Sequence, residues 1–138
     1  MKRLFAAIII SFGFVGSAMA LPFVCPTTNN KTVTVLPTED GGFEYSIFNN
    51  KTDSAELEFT VTPKGAHYEV VDGQRAPGYS LHLDHDGYTY TVSMAENGDG
   101  IDGWVTVTKG YDVVAELTCV SDNLESDLAF TDFYSKFK

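Results

Sequence analysis

The sequence predicts a small all-β domain, an antiparallel β-barrel or sandwich of about eight strands. Apolar and polar residues alternate with period two in short runs along residues 22–120, as in strands with one face buried. Clusters of Gly, Pro, Asn and Asp break these runs roughly every eight to twelve residues. Between the clusters no stretch has helical spacing.

The chain opens with Met1-Lys2-Arg3, an apolar run from Leu4 to Val15, then Gly16-Ser17 and Ala18-Met19-Ala20. This three-part arrangement reads as a secretory signal over residues 1–20, cut after Ala20. The competing reading is a membrane anchor, but the run is shorter than the ~20 residues that cross a bilayer. The first cysteine beyond it is Cys25, so no cysteine stands at the cut to carry a lipid. Cleavage takes Lys2 and Arg3 from the 9 basic residues and none of the 19 acidic ones, moving the net charge from −10 to −12. Such a field repels nucleic-acid phosphates and attracts a cationic protein, although acidity also serves solubility alone. The expected organisation is a signal peptide, a β domain over residues 21–120 and a tail over residues 121–138. The expected location is the periplasm or the exterior.

In the β domain, Thr32, Val33, Thr34, Val35 and Leu36 form a β-branched strand closed by Pro37 and a Glu39-Asp40-Gly41-Gly42 turn. Phe43, Tyr45 and Ile47 alternate with polar neighbours. After an Asn49-Asn50 loop, Ala55, Leu57, Phe59 and Val61 alternate with Glu56, Glu58, Thr60 and Thr62. Pro63-Lys64-Gly65 turns the chain into Ala66, Tyr68 and Val70. A polar loop over residues 72–77 then feeds a hairpin. Tyr79, Leu81 and Leu83 form one arm, Asp86-Gly87 the turn, and Tyr88, Tyr90, Val92 and Met94 the other arm. Residues 96–103 read as a glycine-rich acidic loop, residues 104–108 as a strand, and residues 113–120 as the last strand. In the tail, Asp122 and Glu125 have capping-box spacing. The aromatics Phe130, Phe133, Tyr134 and Phe137 suit an irregular strap equally well.

Cys25 and Cys119 sit near opposite ends of the domain. In an oxidising compartment two lone cysteines most simply pair, the alternative being two buried thiols. His82, Asp84 and Asp86 share one side of the hairpin if it stays regular, but no fourth ligand accompanies them, so no metal site is expected. Asn97, Asp99 and Asp102 hint at a calcium loop, yet Asp102 stands where such a loop requires Gly. No Gly-x-Ser-x-Gly elbow occurs. Neither an enzyme nor a cofactor is expected. Recognition is left. The segment over residues 72–80, with Arg75, Gly78, Tyr79 and Ser80, is a candidate partner-binding surface, together with Asp84, Asp86, Tyr88 and Tyr111. The opposing reading packs the tyrosines inward.

The order of Phe23-Val24-Cys25, Gly78-Tyr79-Ser80, Gly87-Tyr88 with Tyr90 and Val92, and Leu117 with Cys119 resembles a group of small exported proteobacterial proteins. More distantly it is similar to the periplasmic and membrane-bound inhibitors of C-type lysozyme. That resemblance implies a small barrel with a disulfide between its first and last strands. It also implies a Ser-Gly loop and a later Tyr inserted into the lysozyme cleft. Here Pro77-Gly78 stands in the Ser-Gly position, followed by Tyr79 and Ser80. The function expected is binding and occlusion of a basic peptidoglycan hydrolase, or immunity against one. A non-inhibitory envelope module for a glycan or calcium, using Trp104 and the acidic glycine loop, is the alternative, as is a structural envelope protein.

Overall fold

The hairpin expected between Gly78 and Met94 is present, and the rest of the molecule continues its pattern. A computed structural model describes residues 23–71, 78–97, 100–120 and 124–126. The order is β1 (Phe23–Pro26), β2 (Lys31–Pro37), β3 (Phe43–Asn49), β4 (Ser54–Val61), a 3-10 turn (Pro63–Gly65), β5 (Ala66–Val71) and β6 (Gly78–His85). Then follow β7 (Tyr88–Asn97), β8 (Gly100–Lys109), β9 (Asp112–Thr118) and β10 (Glu125–Ser126).

The strands make two five-stranded antiparallel sheets, ordered β10-β1-β2-β3-β4 and β5-β6-β7-β8-β9. The sheets join at one corner. Cys119 bridges Thr27, the Thr28 N–H donates to the Thr118 carbonyl at 3.0 Å, and the Val120 N–H donates to Pro26 at 2.7 Å. The end of β9 therefore runs beside β1, and β10 pairs with the remainder of the same edge, Val24 opposite Glu125 and Phe23 opposite Ser126. At the other corner the chain passes from β4 to β5 through the 3-10 turn, and these two strands are not paired. The result is an up-and-down, flattened barrel with one seam left open, bolted at the joined corner by the Cys25–Cys119 disulfide.

Period-two alternation decides what the barrel encloses. Val33 and Val35 of β2, Leu81 and Leu83 of β6, Val92 of β7 and Val105 of β8 are fully buried. Each such side chain contributes roughly 1.5–3 kcal/mol through removal from water. The β6–β7 turn uses Asp86 and Gly87 at φ 55° and 85°, the left-handed pair that matches the twist of a two-residue hairpin. Gly42 is required for a different reason: a Cβ there would lie 2.0 Å from the Val61 carbonyl oxygen. At Gly103 a Cβ would meet Leu124 at 2.6 Å and the Cys119 Sγ at 3.1 Å, so the disulfide corner closes over bare backbone.

Two expectations need correction. Most of the acidic glycine stretch over residues 96–103 is strand: β7 runs to Asn97, β8 starts at Gly100, and Ala95 pairs with Asp102. Only residues 98–99 of it lie outside the described residues. The β structure also does not stop at residue 120. Leu124 is buried in the core, and Glu125, the second member of the expected capping box, lies in β10. β9 is exposed along most of its length. Val113 and Val114 lie at 57% and 52% exposure, beside a register shift between Val107 and Thr108. The signal sequence over residues 1–20, the loop over 72–77, Asp122 and the tail aromatics lie outside the described residues.

Candidate recognition surface

Two ends of the β6–β7 hairpin carry the side chains that sequence reasoning placed on one surface. Gly78, Tyr79 and Ser80 belong to the first turns of the β6 ladder, opposite Ala95, Met94 and Ser93. Tyr79 packs against the core, and the Ser80 hydroxyl is 2.8 Å from that of Ser93. Arg75 lies outside the described residues. Asp84, Asp86 and Tyr88 are at the opposite end, six residues beyond Gly78, or about 20 Å along a strand. The structure thus gathers Asp84, Asp86 and Tyr88 at one end of the hairpin, Asp84 on the Thr89 face and Tyr88 on the Tyr90 face, and holds Gly78 to Ser80 apart from them.

The Asp84 end is built on aromatic rings. In β3 and β4, Tyr45 stacks on Phe59 with ring centres 4.9 Å apart. Tyr90 of β7 leans against both, at 5.0 and 4.8 Å. His85 lies flat on Phe59, 4.1 Å away with 2° between the planes. Tyr88 follows at 6.4 Å from Tyr90, and the Lys109 ammonium sits 5.5 Å above the Tyr88 ring. The series runs from fully buried Tyr45 to half-buried His85, Tyr88 and Tyr90. It crosses from one sheet to the other where β4 meets β6. Offset and tilted rings at these separations add about 0.5–1.5 kcal/mol per pair beyond their burial.

Electrostatics follow from this packing. Burial pushes the Tyr45 phenol far above the usual range, with Tyr90 adding to the effect. Burial also raises Tyr90, helped by Tyr88 and the Asp86 carboxylate. The Thr89 hydroxyl donates to Asp84 at 2.8 Å, while Asp86 stands exposed on the turn. At the neighbouring β8–β9 turn Tyr111 is fully exposed. This end of the second sheet therefore offers rigid rings ringed by carboxylates.

Histidine is used differently from the ligand reading. His82 Nδ1 is 2.8 Å from the Thr91 hydroxyl and Nε2 is 2.9 Å from Glu69, so its ring is held across three strands. Among the described residues no three His, Cys, Asp or Glu side chains are grouped to hold a metal ion. An open groove of about 370 Å³ lies between Thr38, Glu39, Asp40 and Thr60, Val61, Thr62. The Asp40 carboxylate there is committed to its own turn: it accepts from the Thr38 hydroxyl and the Gly42 N–H, which holds it below its ordinary range.

Sequence reasoning placed Tyr88 and Tyr90 on one face of the hairpin but missed Tyr45 and Phe59 as the rings that Tyr90 and His85 meet. No local signal links them, because their meeting depends on how the two sheets cross. No helix among the described residues is long and apolar enough to cross a membrane. Comparison with protein-family models, with curated proteins and with solved structures finds no match for this chain.

Proposed function

We propose that the protein is an exported binding protein, not an enzyme, that docks a cationic peptidoglycan hydrolase and occludes its cleft, as a lysozyme inhibitor or an immunity protein does. The observation that carries this reading is the ring series ending in His85 and Tyr88, with Asp86 on the turn between them and Asp84 at the same end of the hairpin. Preordered aromatic side chains lose little freedom on binding and make effective anchors. The carboxylates, in a chain of net charge −10, speed encounter with a basic partner. The signal-like residues 1–20 and the Cys25–Cys119 disulfide suit a partner met outside the cytoplasm.

The test is an activity assay with purified protein and C-type, G-type and I-type lysozymes at low and high salt. Inhibition of at least one enzyme is expected, with association slowing as salt screens the carboxylates. Asp84→Asn with Asp86→Asn should slow association while leaving the fold intact. Absence of inhibition of all three at micromolar protein removes the reading. A hydrolase gene beside this one would mark the immunity version.

A further inference from the structure

We infer that the outer face of the second sheet, centred on Trp104, is a binding face for a neutral polysaccharide. This does not rest on the hydrolase reading, because the face lies on a different surface from the ring series.

The ladder registers define the face. One row runs Glu69, Ser80, Ser93, Trp104, Thr118, and the next runs His67, His82, Thr91, Thr106, Glu116. Trp104 is 40% exposed; its register partner Thr118 and Thr106, two residues along its own strand, carry hydroxyls that reach the surface, while Ser93 on its other side is buried beneath the face at 3%. A protein-binding centre clusters aromatic anchors with other apolar groups. Here a single indole stands among hydroxyls. That combination suits a pyranose: its C–H face covers the indole and its ring hydroxyls exchange hydrogen bonds with the side chains around it.

The surrounding groups are already ordered. Ser80 and Ser93 share a hydrogen bond, and His82 is fixed between Thr91 and Glu69. Ordering them in advance lowers the entropy cost of binding a flexible glycan. From β6 to β9 the face is about 14 Å wide at ordinary strand spacing, more than one sugar ring. Charge selects the class. Glu69 and Glu116, one in each of these rows, are exposed, so uronate, sulfate and phosphate chains are repelled and neutral sugars are not.

The chain contains 1 tryptophan, so its fluorescence reports on this face alone. The full-length mature protein is titrated with tetrasaccharides of β-1,4-glucose, α-1,4-glucose and β-1,4-N-acetylglucosamine, and with polygalacturonate. At least one neutral tetrasaccharide should shift the emission to the blue and saturate, and polygalacturonate should not. Calorimetry on Trp104→Ala should show at least a tenfold loss of affinity, and His82→Ala a smaller loss. No shift with any neutral probe at about 10 mM, well above a millimolar dissociation constant, overturns the inference. So does undiminished binding by Trp104→Ala. If no sugar binds and Trp104→Ala instead abolishes hydrolase inhibition, the face belongs to a protein interface and the inference fails while the hydrolase reading stands.

Discussion

Removing the disulfide with Cys25→Ala and Cys119→Ala tests how the barrel is closed. The two cysteines are 94 residues apart in sequence, with Cα atoms 5.2 Å apart. Releasing a loop of that length restores about 4.7 kcal/mol of chain entropy to the unfolded state at 25 °C. Little else is there to compensate. Among the described residues the corner is otherwise held by the bridge between Thr27 and Cys119, the few backbone hydrogen bonds flanking it and the two-residue pairing of β1 with β10. Both cysteines are also core residues, at 0% and 4% exposure, so the double variant loses the packing of both sulfurs as well. A domain of this size has roughly 5–15 kcal/mol in total. The expected loss of about 4 kcal/mol lowers the thermal midpoint by roughly 15–30 °C. Guanidinium unfolding followed by far-ultraviolet circular dichroism measures it, with wild-type protein under reductant as a parallel arm. The m-value should rise, since the released chain exposes more surface. A loss below about 1 kcal/mol with an unchanged m-value refutes the argument and assigns closure to strand pairing.

Other substitutions probe other contacts. Gly42→Ala drives a methyl into the Val61 carbonyl and should cost about 1–3 kcal/mol or more, measured by urea unfolding; a neutral result means β3 and β4 shift freely there. Phe59→Ala removes the ring shared by Tyr45, Tyr90 and His85 and should cost about 3–5 kcal/mol. Stability should also fall in alkali. The folded-state pKa of Tyr45 lies above its unfolded value of 10.0, so the neutral phenol's contribution is intact below pH 10 and is lost as pH rises beyond it. Tyr45→Phe should flatten that slope in thermal scans between pH 9 and 11, and an unchanged slope would assign it elsewhere. Trp104 should be readily quenched by iodide in the native state; emission resistant to quenching contradicts its 40% exposure.

The hairpin was legible because its information is local: Tyr79 to Leu83 and Tyr88 to Met94 alternate, and Asp86-Gly87 can adopt the turn. The cysteine pairing was legible because only one pairing exists. The acidic glycine stretch misled because Gly100 and Gly103 are poor strand formers. Gly103 is there because Leu124 and the disulfide leave no room for a side chain, a constraint invisible along the chain. Glu125 misled in the opposite sense, since its spacing from Asp122 mimics a helix start while the free edge of β1 recruits it. Beyond the Tyr88–Tyr90 pair on one strand the ring series could not be read. Phe59 and His85 lie 26 positions apart, and only the crossing of the sheets stacks them.

The shortest of the early strands has the widest consequence. β1 is four residues long, and one of its edges is occupied wholly by Cys119 and the segment that follows it. Synthesis delivers Phe23 long before Ser126, so the first strand must wait, half-partnered, until residues 119–126 have been made. Closure is therefore a late, long-range event, which places this fold among slow folders of high contact order. A chain cut short near residue 120 would leave the clasp without its final tooth, however complete the rest of the sheets.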